Sequence, residues 1–193
     1  SDYKANRKSS PPELRSQFPL VKELLSGLNT PFYEMDGYEA DDILGTLSAQ
    51  ATNLGLKTII MTGDSDLLQL VSDSVNVLMQ QNMGKQTLYD PEKVRERYLG
   101  LGPEQLIDFK AICGDKSDNI PGVPGLGEKT ATPLLLEYGT LGNIYYNLDQ
   151  IDHRPKTLLQ DYRSSAFQGR ELVTIIQDVP VEINIKESTL STY

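Results

Sequence analysis

Seven carboxylates fall in three short clusters: Glu39, Asp41 and Asp42; Asp64 and Asp66; Asp115 and Asp118. Each cluster stands beside the expected end of a strand or helix. Unpaired carboxylates a few ångströms apart repel and raise one another's pKa, so a chain that gathers them needs positive charge to neutralise them. A pair of hard divalent cations is the economical candidate.

The chain has 193 residues and a formal net charge of -9. That length suffices for one sizeable domain, or one plus a small appendage. An acidic balance taken alone argues against a nucleic-acid partner, which leaves a basic footprint. Here the clustered acids supply most of the negative charge, so two divalent ions would leave a nearly balanced surface. The lone cysteine, Cys113, excludes an internal disulfide. No run approaches the ~18 apolar residues of a membrane helix, and no signal peptide is recognised. The expectation is a soluble cytoplasmic protein without a membrane partner.

Leu14, Phe18, Val21, Leu25 and Leu28 recur at helical spacing after Ser10-Pro11-Pro12, which predicts an amphipathic helix with a core-facing side, ended by Pro31. A short strand is expected over 32–35, and a helix from Ala40 to Leu54 closed by Gly55. The continuous apolar run 58–62 predicts a parallel strand covered on both faces. A helix over 65–71, a strand over 75–80 and a hairpin-like turn near 82–84 complete an alternating pattern. Beyond Asp90 the chain reads as helical near 90–99, 103–112, 128–138, 155–164 and 166–177, with a last strand at 181–185. The fold class is α/β, a mostly parallel sheet with flanking helices plus a helical subdomain. The division expected is 1–112 for the α/β core and 113–193 for the helical part.

In open parallel sheets function lives outside the carboxyl ends of strands, where Asp64 and Asp66 fall. Both also sit at a helix N-terminus, which favours acids without any ligand. Glu39, Asp41 and Asp42 open a helix in the same way. Residues two apart on a helix diverge, so Glu39 and Asp41 converge only if Glu39 precedes the first turn, and Asp42 either faces solvent or supports the ligands. Asp115 and Asp118 alone suit tight-turn chemistry.

The next stretch changes that balance. Ile120, Val123, Gly125, Leu126, Gly127, Ala131, Leu134 and Leu135 fit a helix-hairpin-helix. Gly122, Gly125 and Gly127 let the backbone turn sharply and approach a phosphate, and free amides at the second helix face the anion. Lys129 adds charge beside them, and such a contact reads only the backbone. A P-loop is excluded because Glu128 intervenes before Lys129-Thr130. Pro133 predicts that the second helix starts late or kinks.

Gly-Tyr-Glu-Ala-Asp-Asp, Thr-Gly-Asp-Ser-Asp-Leu-Leu-Gln-Leu and Gly-Asp-Lys-Ser-Asp-Asn-Ile-Pro-Gly-Val-Pro-Gly-Leu-Gly-Glu-Lys-Thr-Ala together resemble the 5′-nuclease domains of bacterial DNA polymerase I, within the flap endonuclease superfamily. The resemblance runs from Tyr3 to about Pro180. It implies a PIN-like sheet carrying two divalent ions, magnesium or manganese, held by Glu39, Asp41, Asp42, Asp64, Asp66, Asp115 and Asp118. It also implies a potassium ion at the hairpin, 5′-flap or nicked DNA as substrate, and a monomeric nuclease domain joined to polymerase domains in a nucleoid-associated bacterial protein. The metals would generate hydroxide and brace the attacking and leaving oxygens of a phosphodiester.

Asp2 to Arg7 resembles the family's Tyr-Lys-x-x-Arg segment at the edge of an arch, which implies that Lys4 and Arg7 contact the scissile phosphate. Lys110, just before the third acidic cluster, is a candidate phosphate contact. Lone His153 reads as a loop residue. By the same resemblance the chain begins inside the arch, without the family's first strand and early aspartates. That raises a second reading, a catalytically impaired DNA-binding module. A phosphotransferase using Asp64 and Asp66 is disfavoured, because Leu67 and Leu68 stand where a hydroxyl residue is needed.

Overall fold

The computed structural model describes residues 3–7, 9–81 and 84–189. The chain divides into two compact units, one of residues 8–56 and 175–193, the other of 1–7 and 57–174.

The first of these units contains α1 (Pro12–Arg15), α2 (Phe18–Gly27) and α3 (Ala40–Asn53). The single helix expected over 14–28 is thus interrupted at Ser16 and Gln17. Pro19 lies in the first turn of α2 and has no amide hydrogen to continue the bonding from Arg15. The expected core-facing stripe is not buried: Leu14, Phe18, Val21 and Leu28 are exposed, and Leu25 is half-buried. No strand forms over 32–35. α3 runs as expected, and Gly55 leaves it with φ +74°.

The segment after Ile175 is tied to α3 by hydrogen bonds between helix side chains and its backbone. Asp42 Oδ1 accepts from the Ile176 amide at 2.9 Å, Thr46 Oγ1 from the Val179 amide at 3.1 Å, and Gln50 Oε1 from the Ile183 amide at 2.8 Å, while Gln50 Nε2 donates to the Val181 carbonyl at 2.7 Å. Asp42, Thr46 and Gln50 are spaced four apart and share one helix face. The strand expected at 181–185 is absent among the described residues: Gln50 instead takes up the Val181 carbonyl and the Ile183 amide.

The second unit carries a three-stranded sheet, β1 (Thr58–Thr62), β2 (Val75–Gln80) and β3 (Gln86–Tyr89), in that order. β1 pairs with β2 in parallel, Ile60 opposite Val77, and β2 pairs with β3 antiparallel, Val77 opposite Tyr89. The expectation that β1 is covered on both faces is corrected: Ile60 is buried, whereas Ile59 and Met61 are each 63% exposed. A 3₁₀ turn over Ser65–Leu70, rather than an α-helix, leaves β1. The turn expected near 82–84 includes Asn82 and Met83, which lie outside the described residues.

Helices follow: α4 (Pro91–Arg97), α5 (Leu106–Cys113), α6 (Glu128–Tyr138), α7 (Leu141–Tyr146), α8 (His153–Asp161) and α9 (Arg163–Val173). α7 was not expected, since Gly142 and Asn143 are weak helix formers. Thr140 starts it by accepting from the Asn143 amide. The core of this part joins Ala111, Ile112, Val123, Leu126, Ala131, Leu134, Leu135, Leu141, Ile144, Leu159 and Ala166. The apolar anchors of the hairpin motif are therefore packed inside. α6 begins at Glu128 and continues through Pro133, so the late start expected from that proline does not occur. No helix among the described residues is long and apolar enough to cross a membrane.

Candidate active site

β1 ends at Thr62, and the chain turns at once into the 3₁₀ turn. Thr62 Oγ1 accepts from the Asp64 amide at 3.0 Å, and Asp64 Oδ1 accepts from the Asp66 amide at 2.9 Å. Asp64 thus caps the turn, as the structural reading of the sequence allowed, and this aims Asp66 inward. Asp64 is exposed and Asp66 half-buried.

The third cluster is built on the end of α5. Gly114 leaves the helix with φ +77°, and the loop folds back on itself through reciprocal 2.8 Å bonds between the backbones of Asp115 and Ile120. The Val123 amide then donates to the Ile112 carbonyl at 2.8 Å, which closes the loop against the helix. Asp115 and Asp118 are held at the mouth of this loop, and Asp118 is buried.

Lys110, in the last turn of α5, joins the two strand-end and loop-end acids. Its Nζ donates to Asp66 Oδ1, and to Asp115 Oδ2 at 2.9 Å. The side chains of Lys110, Asp66 and Asp115 are 13%, 16% and 14% exposed. Burial pushes the Asp66 carboxyl up to about 6, with the neighbouring Asp64 charge adding to the rise while Lys110 pulls the other way. Burial would also raise Asp115, but hydrogen bonds from Ser117 and Lys110 outweigh it and draw Asp115 down to about 2. Burial would lower the Lys110 ammonium, yet its two carboxylate partners hold it above its ordinary value. Sequence reasoning placed Lys110 as a phosphate contact; in the folded chain its charge is engaged internally.

Asp118 is served from the first residues of the chain. Arg7 Nη2 donates to Asp118 Oδ1, and Lys4 Nζ lies 3.8 Å from Asp118 Oδ2. The Lys4 amide also donates to the Asp118 carbonyl at 3.0 Å, and Asn6 Nδ2 to the Lys116 carbonyl at 2.9 Å. Residues 3–7 are therefore pinned against the acidic loop, so the two basic side chains and Asp118 form one site.

Glu39, Asp41 and Asp42 belong to the other unit. Glu39 is the exposed residue that precedes the first turn of α3, in extended conformation, which is the placement required if it is to converge with Asp41. Asp42 engages both oxygens with backbone: Oδ2 accepts from the Glu39 amide at 3.1 Å and Oδ1 from Ile176. Its immediate role is to close the start of α3 and hold the following tail.

The hairpin glycines divide by role. Gly122 has φ +63°, and a Cβ there would fall 2.3 Å from the Gly114 nitrogen; Gly125 has φ +89°. Gly127, the residue before α6, has ordinary φ of -126°, and a Cβ there would meet nothing within 4 Å. The fold itself does not demand glycine at 127, so its bare backbone is left facing outward at a helix N-terminus, beside exposed Lys129.

Among the described residues no group of three or more acidic, histidine or cysteine side chains stands ready to hold a metal. The carboxylates are instead paired with Lys110, Lys4 and Arg7. The donor set nevertheless fits a hard divalent ion: it is all oxygen, and the nearby Cys113 thiol is pushed by burial up to about 12 and stays protonated. Sequence reading missed Asp108, whose Oδ2 accepts from the Leu141 amide at 2.9 Å and whose Oδ1 accepts from Arg170 Nε at 2.6 Å. The signal was present, an acid within the otherwise apolar run Leu106-Ile-Asp-Phe109, where burial demands a partner.

Residues 1–99 match the 5′-3′ exonuclease N-terminal resolvase-like domain, and residues 101–193 the 5′-3′ exonuclease C-terminal SAM fold. DNA polymerase I of Chloroflexus aurantiacus is 46% identical over the whole chain, and that of Bacillus subtilis 41% identical over 95% of it. The chain spans about a fifth of the length of these relatives, 21% in each case. A structure of the T5 5′-exonuclease with divalent zinc ions bound superposes with a TM-score of 0.73 at 25% identity, covering 89% of this chain and 66% of that one. With both halves of its length matched in order, the chain belongs to the 5′-3′ exonuclease family.

Proposed function

We propose that this chain is a divalent-metal-dependent, structure-specific 5′ nuclease that hydrolyses DNA phosphodiesters at flaps and nicks, as one part of a DNA polymerase I. The observation that carries this reading is the meeting of Asp66 and Asp115 on Lys110, with Asp118 on the same loop as Asp115 and partnered by Lys4 and Arg7 from the first residues of the chain. Acids this enclosed are arranged to receive a cation, and cations placed beside them are arranged to receive a phosphate.

Asp64, Asp66, Asp115 and Asp118 would hold one divalent ion, and Glu39, Asp41 and Asp42, by family resemblance, would contribute to a second. When bound, these ions supply a water of lowered pKa and charge that offsets the phosphodiester oxygens. The chain's own residues do the rest. Arg7 and Lys4 place positive charge where the phosphate gains negative charge in the transition state. The backbone amides that open α6 after Gly127, with Lys129, bind the duplex through its backbone and so fix distance from the end rather than sequence. Magnesium is the ion proposed, with manganese as a substitute and potassium at the hairpin, and the domain acts as a monomer.

Binding of a labelled 5′-flap duplex in calcium, compared with a blunt duplex of equal length, tests this reading. Preference for the flap, reduced several-fold by Lys129→Ala, is expected. Equal weak binding to both DNAs would overturn it.

A further inference from the structure

We propose that Lys110 is the resident counter-cation of the Asp66–Asp115 pair, and that a divalent ion entering between these carboxylates has to displace it. The inference rests on the reading of these acids as metal ligands.

Lys110 Nζ bonds one oxygen of each acid, and all three side chains are largely withdrawn from water. The two acids come from different stretches of chain, the end of β1 and the loop after α5. The ammonium on the last turn of α5 is what links them. A doubly charged ion taking up the same oxygens would lie within a few ångströms of the ammonium in a poorly screened place, where repulsion is strong. The ammonium therefore has to leave those oxygens. The arrangement has two consequences. The ion-free protein keeps its buried carboxylates neutralised instead of stranded. The affinity for the incoming ion is lowered by the cost of breaking the two contacts, in the manner of any competing ligand.

The test is titration of this chain with manganese alone, without DNA, followed by calorimetry and by the electron paramagnetic resonance of free ion. Lys110→Met is expected to bind manganese at least about fivefold more tightly than the parent at one site, and Lys110→Arg, which keeps the charge, to bind like the parent. Affinity unchanged or weakened in Lys110→Met would overturn the displacement while leaving the metal site standing. No binding by the parent chain would instead overturn the metal-ligand reading itself. A second measurement on the unaltered protein holds if Lys110→Met does not fold: acetylation of Lys110 by an amine-reactive ester, read by mass spectrometry. Faster modification with manganese than in EDTA is expected, and equal protection in both conditions would overturn the proposal.

Discussion

Gly122 lies backbone to backbone against Gly114, so close that a Cβ on Gly122 would stand 2.3 Å from the Gly114 nitrogen and 2.6 Å from the Ile112 carbonyl. Both glycines have positive φ, and together they fold the acidic loop onto the end of α5. Gly122→Ala is expected to cost more than about 2 kcal/mol, since neither backbone neighbour can yield. Gly127→Ala is expected to leave stability within about 0.5 kcal/mol while weakening flap-duplex binding. Urea unfolding of the two variants, with DNA binding in calcium, checks the contrast.

The buried Asp108 carboxylate ties α5 to α9 through Arg170 and to the first turn of α7 through the Leu141 amide. Arg170→Met strands that carboxylate and is expected to destabilise by about 3 kcal/mol. Asp108→Asn keeps an acceptor for Leu141 and is expected to cost about 1 kcal/mol. Equal losses in the two variants, measured by denaturant unfolding, would contradict this division.

Stability of the metal-free protein should carry the opposite signs of its two linked acids. The Asp66 carboxyl, raised to about 6, contributes most below the ordinary carboxylate range, and its contribution is lost as pH rises through 6. The Asp115 carboxyl, lowered to about 2, contributes above that range, and its contribution is lost as pH falls toward 2. In EDTA, the Tm of Asp66→Asn relative to the parent is expected to rise between pH 4 and pH 7. The Tm deficit of Asp115→Asn is expected to be full at pH 7 and to shrink below pH 4.

Much of this was legible in the sequence because local patterns decided it. β1 and β2 have the expected limits, since runs of β-branched and apolar residues bounded by Gly, Asp and Ser leave little choice. The hairpin was legible because glycines and anchors stand at fixed spacing. What was not legible depends on distant partners. Nothing near 176–183 in sequence says that Asp42, Thr46 and Gln50 will take up its backbone groups. The stripe on α2 has helical period, but period alone does not say whether a covering surface exists. Lys110 read as a phosphate contact from its place before the third acidic cluster, and only the fold brings Asp66 from forty-four positions away to share it.

Cleavage of a 5′-labelled flap duplex by this chain and its Asp118→Ala variant, assayed in magnesium and in EDTA beside binding of the same duplex in calcium, decides whether these carboxylates serve a metal-dependent nuclease. A product cut at the flap junction is expected from the parent chain in magnesium only, with calcium-supported binding retained in the variant. Cleavage that persists in EDTA, or that Asp118→Ala performs at the parent's rate, would contradict that role.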